Sequence, residues 1–185
     1  MAKVRTRIAP SPTGRMHIGT VRTALFNYLF AKRQGGSYFV RIEDTDRERN
    51  KDEWVDAIWS DFEWCGIVPD ERFIQSEHID RHRELLHKLV QSGRAYVSKE
   101  PKKDDPAQTV EVVRLKNPGT KVTFDDAIRG AVTFDTTELG DFVIARSIDD
   151  PLYHFAVVAD DGDAEVTHVL RAEEHISNTP RQILI

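Results

Sequence analysis

Polar and β-branched positions alternate across Val4–Ala9, and a period of two predicts a short strand there. Pro10-Ser11-Pro12-Thr13-Gly14 breaks that period and reads as a loop. From about Ile18 to Arg33 the apolar residues Val21, Leu25, Tyr28 and Leu29 recur at helical spacing, and Gly35-Gly36 ends the pattern. Tyr38–Ile42 is a second strand. Strand, helix, strand opens a parallel α/β unit. A second helix is predicted from about Asp52 to Cys65, with Trp54, Ile58 and Phe62 on its core face, and a third from about Ile79 to Ser92.

After Gly93 the pattern changes. Lys99–Pro106 is charged, carries prolines and reads as a turn. Short strands are predicted at Val110–Leu115, Val122–Phe124, Ala131–Phe134 and Phe142–Ala145, which suggests a small α+β insertion. The α/β pattern then resumes with a helix at Tyr153–Ala159, a strand at Val166–Leu170 and a helix opening near Asn178-Thr179-Pro180, residues suited to a helix start. That last apolar run reaches Ile185 without a C-cap signal, so the sequence reads as a piece of a longer domain.

Composition narrows the classes. The 185 residues suffice for one compact domain, and 31% charged against 39% apolar residues is an ordinary globular balance. No apolar run approaches the ~20 residues of a membrane span, and the start lacks a secretory core. The single cysteine, Cys65, excludes an internal disulfide and a multi-cysteine zinc site, and reads as a small buried hydrophobe. The expectation is a cytoplasmic protein with no membrane partner and no metal site. Net charge is -5, but residues 1–50 hold ten Lys/Arg against four Asp/Glu, a local excess suited to a phosphate-bearing ligand.

The chemistry concentrates where the first strand meets the first helix. Open α/β sheets bind ligands at strand C-termini and helix N-termini, and helix N-termini favour phosphate. There the chain reads Arg7-Ile8-Ala9-Pro10-Ser11-Pro12-Thr13-Gly14, then His17-Ile18-Gly19-Thr20. A lone histidine in a loop is ordinarily a local hydrogen bonder, but the whole string fits no common turn or core pattern. His78, His82 and His87 fall on a helical face with interleaved charges and have no metal spacing. Asp46 and Arg49 read as solvated loop residues, with Arg47 as a pairing partner.

PSPTG followed by HIGT resembles the signature of class I aminoacyl-tRNA synthetases in its glutamyl form. RIEDTDRER (Arg41–Arg49), RGAVTFDTTELGDFVIARS (Arg129–Ser147) and VTHVLRAEEHISNTPRQI (Val166–Ile183) resemble three further blocks of that family, in family order. Thr20 replaces the final His of the class signature, a variant at home in glutamyl enzymes. The glutaminyl branch and the short glutamyl-queuosine tRNA(Asp) synthetases resemble it less well. A non-catalytic tRNA- or nucleotide-binding module derived from a synthetase, and another adenylylating enzyme of the same fold, are the remaining alternatives.

The resemblance implies an α/β fold: an incomplete Rossmann-like domain, a parallel sheet with flanking helices. Residues 1–93 would form its first half, 94–150 a shortened acceptor-stem-binding insertion, and 151–185 the start of the second half. It implies ATP-dependent activation of L-glutamate, then transfer to the 3′ end of tRNA(Glu). His17, Gly19 and Thr20 would serve catalysis and ATP binding, with Glu174 near the adenosine and Mg2+ accompanying the nucleotide. Arg7 would read the side-chain carboxylate, with Tyr153 beside it. Arg171 would bind the α-carboxylate and Glu43 the ammonium, with Ala9 and Ser11 lining the pocket and His154 and His175 as polar neighbours. No structural zinc is expected. The lysine-rich second signature and the anticodon-reading domains are not found in the sequence, so the chain alone is expected to be a feeble enzyme.

Overall fold

A computed structural model describes residues 3–45, 49–102 and 104–185. Asp46 and Arg47 lie outside the described residues. The chain divides into two compact units, Met1–Ile79 with Asp160–Glu173, and Asp80–Ala159 with Glu174–Ile185.

The first unit is α/β. Strands β1 (Arg5–Ile8), β2 (Ser37–Ile42) and β3 (Glu71–Ile74) form a parallel sheet in that order, with helices α1 (Ile18–Arg33) and α2 (Asp52–Trp64) as the crossovers. The pleat sorts side chains by parity. Thr6, Ile8, Tyr38, Val40 and Ile42 alternate with Arg5, Arg7, Phe39 and Arg41. Tyr38, Val40 and Ile42 pack with Ala24 and Ala31 of α1, Ile58 and Phe62 of α2, and Ile67. On the other face Arg5 reaches across Phe39, its guanidinium 5.0 Å from the ring centroid, to pair with Glu71 at 2.6 Å.

Helix α1 departs from the expected stripe. Leu25 and Leu29 are exposed, whereas Ala24, Asn27 and Ala31 are buried. Small side chains let the helix lie close to the sheet. There the Asn27 carbonyl accepts from Thr6 Oγ1 at 2.9 Å, and Asn27 Nδ2 donates to the carbonyls of Thr23 and Leu170. The strand expected at Val166–Leu170 is not a strand. The Thr167 amide donates to the Arg5 carbonyl at 3.0 Å, and the run continues beside β1 without a regular ladder. In α2, Ile58 and Phe62 are buried as expected, Trp54 is half-buried, and Trp59 rather than Trp54 packs against the core. Cys65 is half-buried against the same core.

The second unit is built around an antiparallel sheet. A 3-10 turn, Gln75–His78, leads from the first unit into helix α3 (Ile79–Gln91). Strands β4 (Ala95–Lys102), β5 (Asp105–Leu115), β8 (Phe142–Ser147) and β9 (Asp150–Pro151) follow in that sheet order, while β6 (Lys121–Asp126) and β7 (Gly130–Asp135) form a separate hairpin. Lys99–Pro106, expected as a turn, is mostly strand: β4 runs to Lys102 and β5 starts at Asp105. Pro101 is tolerated because β4 is a sheet edge and the register shifts there. The core joins Leu86, Ala95, Val113, Leu115, Ile144, Ala145 and Phe155. His82 is wholly buried, not on a solvated face.

Helix α4 (Tyr153–Asp163) extends beyond the expected end at Ala159 and carries the chain back to the first unit. Helix α5 (Thr179–Leu184) starts at the expected place with Pro180 in its first turn, but Asn178 makes no side-chain cap bond to α5 and contacts His175 instead.

Candidate active site

The loop from Ala9 to His17 joins the end of β1 to the head of α1. Its two prolines donate no hydrogen bonds, but their carbonyls accept two. Pro10 takes the Glu43 amide at 3.0 Å and Pro12 the Lys51 amide at 3.3 Å. Pro10 and Pro12 are buried, while Ser11 and His17 are exposed. The loop is thus fastened to the segment after β2, and that brings Glu43 to the end of β1.

His17 caps α1. Its backbone is extended, with φ -98° and ψ 163°, and its Nδ1 accepts the Gly19 amide at 3.1 Å. The hydrogen of the neutral ring then stands on Nε2, 3.5 Å from Thr20 Oγ1. The imidazole therefore places a donor beside the Thr20 hydroxyl at a helix N-terminus, where an anion is favoured. Gly19 leaves room for this ring: a Cβ there would lie 2.8 Å from His17 Cε1, so the imidazole would have to shift.

Arg7, at the end of β1, is 5% exposed. It holds Asp161 with a two-pronged fork, Nε to Oδ1 at 3.1 Å and one Nη to Oδ2 at 2.9 Å. Arg41, 2% exposed on β2, shares that carboxylate, with Nη1 2.7 Å from Asp161 Oδ1. Its other Nη reaches Glu43 Oε1 at 3.1 Å, and its Nε stands 3.6 Å from Asp160 Oδ2. Gln75 donates to the same Asp160 oxygen at 2.7 Å. Next to Glu43, Asp44 accepts from the amide and hydroxyl of Ser76 and so fixes the chain after β2.

The cluster brings the guanidiniums of Arg7 and Arg41 together with the carboxyl groups of Glu43, Asp160 and Asp161. Burial pushes Glu43 above the ordinary carboxylate range, and the opposing pull of Arg41 is too weak to reverse it. Burial also opposes the charge of Asp161, but Arg7 and then Arg41 outweigh it and hold that carboxyl below the ordinary range. Burial works against the Arg41 cation, yet Asp161, Glu43 and Asp160 more than compensate.

The expected residues thus divide. Arg7, Glu43, Ala9, Ser11, His17, Gly19 and Thr20 all lie in the first unit, on the β1–α1 loop, its flanks and the β2 end. Arg171 is half-buried in the same unit. Tyr153, exposed at the start of α4 with its ring 5.2 Å from that of His154, and Glu174, exposed in a 3-10 turn, belong to the second unit. Arg41, Asp160, Asp161 and Gln75 were not singled out by the sequence reading. A cavity of about 260 Å³ lies on the Arg5 side of Arg41. It shares Arg41 and Asp160 with the cluster but none of Arg7, Ser11, Glu43 or His17, so it is a neighbour of the candidate site. Among the described residues no three His, Cys, Asp or Glu are placed to hold a metal, and no helix is long and apolar enough to cross a membrane.

Residues 3–105 and 98–185 match the family described as tRNA synthetases class I (E and Q), catalytic domain. The chain belongs to this family of class I synthetases. It is 43% identical to a glutamate-tRNA ligase of Mycoplasma mycoides over 98% of its own length and 47% of that protein, and 43% identical to one from Aquifex aeolicus over 100% and 46%. A solved glutamate tRNA ligase from Elizabethkingia meningosepticum, in complex with its amino acid, superposes with a TM-score of 0.91 at 30% identity, covering 99% of this chain and 46% of that one. The chain spans about half the length of the curated relatives it matches. The Mycoplasma alignment runs over 226 positions against 185 residues here, so that relative carries residues inside the matched stretch that this chain lacks. The two family matches meet at 98–105, where β4 turns into β5.

Proposed function

We propose that this chain carries the glutamate-activating site of a glutamate-tRNA ligase: the α-carboxylate of L-glutamate attacks the α-phosphorus of ATP and displaces pyrophosphate, and the 3′-terminal ribose hydroxyl of tRNA(Glu) then takes the glutamyl group from the adenylate and releases AMP. One observation carries this reading, the pairing of a buried, oriented arginine at the end of β1 with a buried carboxylate at the end of β2, beside a helix head capped by His17. Arg7 uses Nε and one Nη on Asp161, and the remaining Nη is the donor for an acidic side chain. Glu43, a buried carboxyl at the end of β2, takes the α-ammonium, and Arg171 takes the α-carboxylate. The triphosphate, with its Mg2+, lies against the α1 N-terminus and the Nε2 hydrogen of His17.

No covalent enzyme intermediate is required. The protein's contribution is positioning and charge stabilisation. In this reading 94–150 is a shortened acceptor-stem insertion, and the chain works in the cytoplasm. The test is glutamate-dependent exchange of labelled pyrophosphate into ATP, run with and without tRNA(Glu), with glutamine and aspartate as controls. Exchange supported by glutamate alone among the three is the expected result. Exchange indifferent to the amino acid, or calorimetry with no glutamate binding, would refute the reading.

A further inference from the structure

We propose that Asp161 is a positioning residue for amino-acid recognition: a single carboxylate sets the places of both Arg7 and Glu43. The inference rests on the reading above. Three observations carry it. Asp161 Oδ1 is shared by Arg7 Nε at 3.1 Å and Arg41 Nη1 at 2.7 Å, while Oδ2 completes the fork to Arg7 at 2.9 Å. Arg41 in turn grips Glu43 at 3.1 Å. The group that would read the side-chain carboxylate and the group that would hold the ammonium are therefore joined through Asp161.

The second observation is local conflict. Asp160, Asp161 and Asp163 occupy the last turn of α4, and that turn itself carries no basic residue. A helix C-terminus disfavours anions, so this placement works against the helix that bears it. Conflict of this kind between local and tertiary structure is expected at functional sites. The third observation is a division of labour. Asp160 takes Gln75 and stands near Arg41, so it accounts for neither contact to Arg7. An arginine on a buried strand end could turn its fork several ways, and the two contacts to Asp161 fix Nε and one Nη and leave the other Nη outside that fork. A guanidinium held in this way discriminates a carboxylate from the isosteric amide by geometry as well as charge.

The experiment is calorimetric titration of the whole chain with glutamate and with glutamine, for the parent and for Asp161→Asn. The expected result is a glutamate affinity lower by about tenfold or more with a smaller loss for glutamine, so that the preference narrows. A residue that only supports the fold would weaken both ligands alike. An unchanged glutamate-to-glutamine ratio overturns the proposal. The side-chain NMR signal of Arg7 Nε–H gives an independent readout that needs neither ligand nor variant. Slow exchange of that hydrogen with solvent supports the clamp, and fast exchange overturns it. If the parent binds neither amino acid, the ligase reading is what fails, and the Nε–H exchange still reports whether Asp161 holds Arg7.

Discussion

Gly36→Ala should damage this fold far more than an alanine normally does. Gly35 and Gly36 both follow α1, but they do different work. Gly35 adopts φ +63° and reverses the chain. Gly36 has an ordinary φ, and its constraint is space. A Cβ there would stand 2.2 Å from the Val4 carbonyl oxygen and 2.9 Å from the Val4 carbonyl carbon. Both are backbone atoms of the segment that becomes β1, so no side chain can swing aside. The same Val4 oxygen accepts the Ser37 amide at 2.9 Å, the hydrogen bond that opens the β1–β2 ladder. Relief requires a backbone shift of about 1 Å, which costs about 1–3 kcal/mol as overpacking. The stretched hydrogen bond adds about 0.5–1.5 kcal/mol. Loss of unfolded-state freedom returns about 0.4–1 kcal/mol. The net is a destabilisation of about 0.5–4 kcal/mol, centred on ~2 kcal/mol, a large share of the ~5–15 kcal/mol of a typical domain. In urea this lowers the midpoint by about 1–2 M, read by far-UV circular dichroism. Gly162→Ala is the control of opposite sign. Gly162 lies in α4 with nothing within 4 Å of its added Cβ, so alanine there should stabilise by a few tenths to about 1 kcal/mol. A Gly36→Ala midpoint equal to or above that of the parent would refute the argument.

Arg7→Gln removes the cation proposed to face the substrate carboxylate and leaves Asp161 with its contact to Arg41; on that proposal glutamate affinity measured by calorimetry should fall by one to several orders of magnitude, the equivalent of about 2–5 kcal/mol. Gly19→Val drives a side chain into the His17 ring that caps α1, so ATP affinity should drop with little change in circular dichroism; equal ATP binding would remove the cap from the nucleotide site. Glu43→Gln should stabilise the protein increasingly as pH rises. The folded Glu43 carboxyl lies above its ordinary value, so its contribution to stability is complete below about pH 4 and lost as pH climbs through the folded value. Asp161 has the opposite sign, contributing above the ordinary aspartate value and losing its contribution as pH falls through the lowered one. Melting temperatures of parent and Glu43→Gln at pH 5 and pH 8 should therefore differ more at pH 8, and a constant gap would count against the burial argument.

Elements whose periodicity is long or whose punctuation is strong are legible in the local sequence. Helix α1 and strand β2 were legible because their periods run for several residues and glycine separates them. The Pro10–Gly19 motif was legible because its residue types are rarely combined by chance. The buried face of α1 was not. Leu25 and Leu29 carry the hydrophobic signal, yet the sheet takes Ala24, Asn27 and Ala31, since closeness of packing and a polar contact to Leu170 are decided across the fold. Strand β3 is four residues long and begins with two charged ones, so only its ladder with β2 reveals it. Lys99–Pro106 looks like a turn because intrinsic preference argues against strand, and pairing along β5 overrides it. In the same way, Val166–Leu170 has the residues of a strand, but Thr167 meets β1 through isolated bonds rather than a ladder. The candidate site divides similarly. Arg7 and Glu43 stand beside recognisable motifs, whereas Asp161 is separated from Arg7 by 154 positions and from Arg41 by 120. The one local clue was an aspartate cluster at the wrong end of a helix. Its partners are strand residues that only the folded chain brings within hydrogen-bonding distance, because burial of two guanidiniums demands a carboxylate from wherever the chain can supply one.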